Sequence, residues 1–258
     1  MSEKDLKLGE DIKFDVKKRF GIITIARGER SNALTLEMLQ DIKNALEYCQ
    51  ENEKIRGIIL TGEGNSFTSG LDIKEIDVKK SLLIKKVENI ASNITALLYY
   101  GKPVICAING LAMGDGVIFA LASDYRIAVE NAYFQMPEIN YGIFPGTGCI
   151  VLMTRIIGIS WTKKMLMFAE KIDPEKAVKI GLIDEIADNK EDLMKIALNK
   201  AKFLFTKNQT VLNAIKICSN HLQDKSYSEA YDLEKIGSSW YEYDDKEEFL
   251  SEFRKRFM

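Results

Sequence analysis

Short runs of β-forming residues alternate with helical stripes over the first 190 residues, and this alternation limits the fold more than any other feature. The strand-like runs cover residues 12–16, 22–26, 56–61, 103–108 and 125–129. The first two alternate in polarity, which predicts paired strands joined by a turn at Arg19-Phe20-Gly21. Between the later runs apolar residues recur at helical spacing, and Thr35 can cap the first helix. Strands separated by helices predict an α/β domain.

From Lys190 onward the pattern is purely helical. Apolar spacing predicts four helices, around Leu193–Leu204, Val211–Ile217, Tyr227–Ile236 and Phe249–Phe257. We therefore predict two parts, an α/β core over residues 1–190 and a helical region over residues 191–258.

The charge balance and the apolar runs exclude several classes of function. The 36 basic and 38 acidic side chains give a formal net charge of −2, so no global basic field favours nucleic acid or a membrane surface. No apolar run reaches the length of a signal-peptide core or of a membrane-spanning helix. We therefore expect a cytoplasmic protein that binds neither nucleic acid nor membrane.

Histidine and cysteine are too sparse for several common active sites. His221 is the single histidine, so a Ser-His-Asp triad or a histidine-ligated zinc ion would have to use it, yet it lies in a polar helical stretch. The four cysteines are scattered, and three of them lie in apolar runs that suggest reduced core residues. We expect no metal ion and no redox cofactor.

Two glycine-containing segments follow strand-like runs, and each is predicted to turn into a helix. The first is Ser66–Lys74 and the second is Ile108–Gly116. Such turns leave backbone N–H groups without partners, and these groups can donate to an oxygen that gains negative charge. The second segment lacks the Lys-Ser/Thr ending of a P-loop and does not fit GxGxxG. Each segment alone is best interpreted as an ordinary helix entry, whereas two converging N–H groups would form an oxyanion hole.

Glu138 is a candidate catalytic base, although a glutamate after proline is by itself more often a surface residue. It belongs to a set of motifs that follow one another along the chain. These are Asn32-Ala33-Leu34, Ser69-Gly70-Leu71-Asp72, Asn109-Gly110 to Gly116, Ser123-Asp124-Tyr125-Arg126-Ile127-Ala128, Pro137-Glu138-Ile139, Gly142 to Gly148, Arg155-Ile156-Ile157-Gly158, Ala177 to Asp184 and Asp245 to Arg256. In this order they resemble the enoyl-CoA hydratase/isomerase (crotonase) superfamily over nearly the whole chain.

The resemblance implies a crotonase-like α/β fold, a spiral of ββα units followed by a C-terminal helical trimerisation region. It implies an acyl-CoA substrate, with coenzyme A as part of the substrate and no separate cofactor, and a homotrimer or a dimer of trimers. It assigns Glu138 as the acid/base and the backbone N–H groups of Leu71 and Asp115 as the oxyanion donors. The residues that it places against substrate are Arg27, Ala33, Ser69, Gly70, Asp72, Ile73, Lys74, Gly114 and Ile118. The family usually has glycine where this chain has Asp115, and a carboxylate beside a forming oxyanion is unfavourable unless it points away.

The pairing of Ile118 with Glu138 favours an isomerase. Family hydratases typically have carboxylates at both positions, because one group orients water and another handles the proton, whereas moving a double bond needs one base. An apolar residue at position 118 resembles the mitochondrial-type Δ3,Δ2-enoyl-CoA isomerases. Two alternatives stay open: a 2-enoyl-CoA hydratase that uses Glu138 alone or with Asp115 as a substitute acid, and a non-catalytic acyl-CoA-binding member.

Overall fold

The strands belong to two sheets in a computed structural model that describes residues 6–75, 81–222, 225–238, 242–243 and 245–255. In chain order the strands are β1 (Ile12–Lys17), β2 (Phe20–Ile25), β3 (Gly57–Gly62), β4 (Ser66–Thr68), β5 (Val104–Ile108), β6 (Leu111–Met113), β7 (Tyr125–Val129), β8 (Tyr133–Gln135) and β9 (Glu185–Ala187). The α-helices are α1 (Leu36–Glu51), α2 (Ser81–Tyr100), α3 (Asp115–Leu121), α4 (Cys149–Phe168), α5 (Pro174–Lys179), α6 (Lys190–Phe205), α7 (Gln209–His221), α8 (Tyr227–Ser238) and α9 (Lys246–Lys255).

From β3 to β8, successive strands along the chain belong alternately to the larger and the smaller sheet. The larger sheet has the order β1-β2-β3-β5-β7-β9, with β1 antiparallel to β2 and the other neighbours parallel. The smaller sheet is parallel and has the order β4-β6-β8. Three successive units, β3-β4-α2, β5-β6-α3 and β7-β8-α4, each place one strand in each sheet before a helix. This repetition is the predicted spiral of ββα units.

The strands of the larger sheet follow the predicted runs because their side chains form the core. Strands β3 and β5 are buried almost throughout, as continuous apolar runs in a parallel sheet should be. The turn between β1 and β2 was predicted at residues 19–21 and lies at residues 18 and 19. Lys18 and Arg19 have φ values of 48° and 70°, and Phe20 is a buried residue of β2.

The glycine segments differ from the prediction that each runs directly from a strand into a helix. Each contains a three-residue strand of the smaller sheet, β4 or β6, which is too short to produce a periodic signal. After Gly70 the chain forms an isolated parallel bridge between Leu71 and Leu34, and the next described helix is α2, which begins at Ser81. The prediction of a helix directly after the first turn was therefore wrong. The helix predicted after the second turn is α3, which begins at Asp115.

The C-terminal helices divide between the main core and a second cluster. Leu193, Ala197 and Ala201 of α6 pack in the main core. Helices α7 and α9 form a small separate cluster around Ile217 and Phe249. The boundary between an α/β core and a helical region at residues 190 and 191 stays a prediction. Residues 256 and 257 of the last predicted helix lie outside the described residues. None of the helices in the described ranges has the length and apolar character to cross a membrane.

Candidate active site

The two glycine turns open onto one cavity of about 510 Å³. Eleven of the twelve site residues expected from the sequence line it. They are Ala33, Ser69, Gly70, Leu71, Asp72, Ile73, Lys74, Gly114, Asp115, Ile118 and Glu138. The fold thus brings together residues from four separate stretches of the chain.

Asn32 and Asn109 fix the strand that leads into the first turn. Both side chains are buried, and both donate to the carbonyl oxygen of Ser66, at 2.7 Å and 3.0 Å. The hydroxyl of Thr68 donates to the carbonyl oxygen of Asn32 and accepts from the N–H of Gly70, at 2.6 Å and 3.1 Å. The turn is thereby held by side chains that do not themselves line the cavity. The motifs contained both asparagines, but nothing in the sequence indicated that they meet at one carbonyl.

The first turn leaves the N–H of Leu71 available. Leu34 uses its own N–H and carbonyl to bond the carbonyl of Gly70 and the N–H of Asp72, at 2.8 Å and 2.9 Å. These bonds flank Leu71 and leave its own N–H unused. That N–H has no acceptor among the residues that the structure describes. Gly70 has a φ of 79°, which favours glycine at this turn.

The second turn presents the N–H of Asp115 beside the first. Gly114 precedes α3 with φ 52° and ψ −118°, and its N–H bonds the carbonyl of Gln135 in β8 at 3.1 Å. As the first residue of α3, Asp115 has an N–H with no intrahelical partner, and none is found elsewhere in the described ranges. A Cβ on Gly70 would lie 3.6 Å from the nitrogen of Asp115, so the two turns are in contact. Two such donors on adjoining turns can bind one oxyanion.

Glu138 lies against the second turn. It begins a 3₁₀ helix, Glu138–Tyr141, a few residues after β8, and β8 pairs with β6. Its Oε1 is 2.9 Å from the position that a Cβ on Gly114 would occupy. Its Oε2 is buried and has no hydrogen-bond partner in the part of the chain described. Burial raises the pKa of this carboxyl group, which suits a group that exchanges a proton with a substrate.

Asp115 adds a second carboxyl group to the same cavity. Burial, and then the negative charge of Glu138, raise its pKa from 3.8 to about 7. The carboxyl groups of Asp115 and Glu138 therefore interact. The pairing of Ile118 with Glu138, on which the isomerase prediction was based, gave no sign of this interaction.

Ile118 and one face of α2 form apolar walls. Ile118 lies three residues beyond Asp115 on α3 and is 3% exposed. Ile84, Val87 and Ala91 of α2 also line the cavity. The apolar spacing of α2 predicted a helix but not its place in the site, because core and cavity positions share the same helical spacing.

Arg27 is the expected substrate contact that does not line the cavity. Its guanidinium group donates to Asp72 at 2.9 Å, to Glu75 at 2.6 Å and to the carbonyl of Ala33 at 3.1 Å. It therefore ties together the segments that carry Ala33 and Asp72. Contact between Arg27 and the acyl-CoA substrate stays a prediction. Arg30 and Lys74 are exposed cations on the cavity lining. Over the described residues, no cluster of His, Cys, Asp and Glu could hold a metal ion.

Two backbone donors beside a buried carboxyl group form an arrangement that can stabilise a developing oxyanion while a proton moves, as enzymes of acid–base chemistry require. Residues 16–253 match the family described as Enoyl-CoA hydratase/isomerase, and the chain belongs to this family.

Curated relatives and solved structures agree with the family. The chain is 28% identical over 251 residues to a crotonyl-CoA hydratase of Syntrophomonas wolfei subsp. wolfei, covering 96% of each protein. It is 29% identical over 242 residues to a short-chain-enoyl-CoA hydratase of Clostridium acetobutylicum, covering 92% of each. A solved enoyl-CoA hydratase from Bacillus anthracis superposes with a TM-score of 0.86 at 25% identity, over 96% of this chain and 97% of that one. The fold is thus the crotonase fold.

Proposed function

We propose that this enzyme acts on acyl-CoA thioesters and moves a double bond from 3-enoyl-CoA to 2-enoyl-CoA. The observation that carries the proposal is the position of Glu138. One of its carboxylate oxygens lies beside the oxyanion turn at Gly114, and the other is buried without a partner. Ile118 supports the same assignment, because it gives that wall of the cavity an apolar side chain where typical hydratases have a second acid.

The proposed reaction balances with one base. Glu138 takes a proton from C2 of the 3-enoyl thioester, and the electrons of that C–H bond move toward the thioester carbonyl. The resulting dienolate oxygen accepts hydrogen bonds from the N–H groups of Leu71 and Asp115. Glu138 then returns its proton at C4, and the remaining double bond lies between C2 and C3. A single oxyanion donor contributes about 3–4 kcal/mol in other enzymes, and general acid–base transfer about 10²–10⁴-fold in rate.

A second candidate is hydration of 2-enoyl-CoA. Asp115 favours it, because its carboxyl group lines the same cavity and interacts with Glu138. Hydration needs one group for water and one for the proton, and this pair could divide those roles. The two curated relatives are named as hydratases, which gives the alternative further support.

The test is a comparison of two substrates on wild-type protein. We expect kcat/KM for converting 3-enoyl-CoA to exceed kcat/KM for hydrating 2-enoyl-CoA. Hydration that equals or exceeds isomerisation would replace the isomerase assignment with the hydratase. Absence of turnover with several enoyl-CoAs, together with retained binding, would favour the non-catalytic alternative.

Glu138→Gln tests the base itself. The substitution keeps the side-chain volume and removes proton transfer, so we expect a loss in kcat of at least about 10²-fold with little change in acyl-CoA affinity. Calorimetry with a non-reactive saturated acyl-CoA measures that affinity separately. Near-normal turnover in this variant would rule out Glu138 as the acid/base.

We further propose a homotrimer or a dimer of trimers in the cytoplasm. Ile159, Met167 and Phe168 of α4 are 61%, 61% and 75% exposed in the single chain, and burial between subunits would remove this apolar area from water. All four cysteines are free thiols, in keeping with a reducing compartment. Sedimentation equilibrium measures the assembly, and a monomer would contradict it.

A further inference from the structure

Asp115 and Glu138 meet on either side of Gly114. Asp115 follows Gly114 directly, and Oε1 of Glu138 approaches the Cβ position of Gly114 to 2.9 Å. Burial, and then the charges of Glu138 and Asp115, raise the pKa of the Cys149 thiol at the start of α4, so this thiol lies near both acids. Both acids line the cavity at this corner, and the thiol of Cys149 is buried nearby.

No nearby cation balances this corner within the described residues. The other titratable groups on the cavity lining are Arg30, Asp72, Lys74, Glu88 and Tyr141. Asp72 is bonded to Arg27, and the remaining four are exposed. Among the residues that the structure describes, the charge that acts on Asp115 is that of Glu138.

We propose that the Asp115–Glu138 pair holds one proton at neutral pH and that Asp115 carries it. A neutral carboxyl group then stands next to the oxyanion donor, while Glu138 remains the anionic base. The inference rests on the proposed function, because it assigns the charge state of the same site. It gives the side chain of Asp115 a role in the isomerase, for which only the backbone N–H of Asp115 was expected to act.

Electrostatics favour this distribution of charge. Two ionised carboxylates in one buried site repel each other, so such pairs lose their protons in two separated steps. Asp115 is the more buried of the two, at 7% exposed, whereas Glu138 is only partly buried. Burial, and then the charge of Glu138, raise the pKa of Asp115 to about 7. A dienolate that formed beside an ionised Asp115 would bring a further negative charge into the same corner. Loss of the proton from Asp115 should therefore slow the reaction as pH rises.

Infrared spectroscopy tests the proton without any substrate. At neutral pH we expect the carbonyl stretching band of a protonated carboxyl group in wild-type protein and its loss in Asp115→Asn. A wild-type spectrum without the band would overturn the proposal. A band that persists in Asp115→Asn and disappears in Glu138→Gln would place the proton on the wrong partner and would overturn it equally.

The pH profile gives the second readout. Above its apparent midpoint, kcat/KM of wild type should fall by about tenfold per pH unit as the proton is lost. In Asp115→Asn this alkaline decline should disappear, because the amide cannot ionise. Asp115→Gly places the usual family residue there and should give the same flat profile, so it replaces the asparagine variant if that one does not fold. An unchanged alkaline decline in either folded variant would refute the role of Asp115.

The two proposals fail separately. A protein that shows the protonated-carboxyl band but does not isomerise 3-enoyl-CoA contradicts the proposed reaction and leaves the proton assignment standing. A protein that isomerises 3-enoyl-CoA without the band contradicts the proton assignment alone. If the protein is a hydratase, its hydration profile replaces the isomerisation profile in the same comparison.

Discussion

Gly114→Ala should displace the carboxylate of Glu138, the proposed base, without removing any group of the site. Gly114 has φ 52° and ψ −118°, a conformation that residues with a Cβ rarely adopt. A Cβ there would lie 2.9 Å from Oε1 of Glu138. Because comfortable C···O contacts are about 3.3–3.6 Å, the carboxylate must move by roughly 0.5 Å. The end of a glutamate side chain can make this movement at little cost in stability, but the movement takes the base out of position.

The expected losses in rate and stability have different origins. A misplacement of about 1 Å can cost about 10²-fold in rate, so a shift of roughly half that size should lower kcat by about 10- to 10²-fold. The backbone strain should cost about 1–3 kcal/mol of unfolding free energy. Steady-state kinetics and urea denaturation measure the two effects independently.

Gly158→Ala is the matched control. Gly158 lies at the kink in α4 with φ 76° and ψ 159°, and a Cβ there would meet nothing within 4 Å. It should show a comparable loss of stability with little loss of kcat. If Gly114→Ala keeps at least a third of the activity of Gly158→Ala, the close approach of Glu138 to this turn does not matter for catalysis and the argument fails.

Three further predictions follow from Ile118, Lys216 and Asp115. Ile118→Glu should raise the ratio of hydration to isomerisation and lower stability, since a buried carboxyl group is costly unless it is hydrogen-bonded; an unchanged ratio would show that position 118 does not select the reaction. Lys216 donates to Leu98 O at 2.6 Å, to Lys102 O at 3.1 Å and to Asp124 at 2.7 Å. Lys216→Met leaves the two carbonyl oxygens without this donor and should cost about 1–3 kcal/mol of unfolding free energy; a loss no larger than that of exposed Lys195→Met would contradict this. The pKa of Asp115 rises on folding from 3.8 to about 7, so its ionisation weakens folding as pH rises through that interval. Asp115→Asn should therefore gain stability relative to wild type at pH values above this interval but not below it, as denaturation at both pH values would show.

Local patterns predicted the framework because their causes are local. Thr35 caps α1 by accepting from the N–H of Met38, as its position before an apolar stripe suggested. Strands β3 and β5 were visible as apolar runs because both of their faces are buried. The smaller sheet was not predicted, because its strands have three residues each, which is too few to show the two-residue alternation of a strand.

The sequence by itself determined which groups were candidates for the site: the glycine turns with Asp115, Glu138 after proline, and the apolar Ile118. Only the tertiary structure decided how they act on one another. It brought Gly70 into contact with the turn of Asp115 and placed Glu138 beside Gly114. It also hydrogen-bonded Arg27 to Asp72 and Glu75. The physical reason is that hydrophobic periodicity and capping act over a few residues. The burial and mutual repulsion of two acids 23 positions apart exist only once the chain has folded around them.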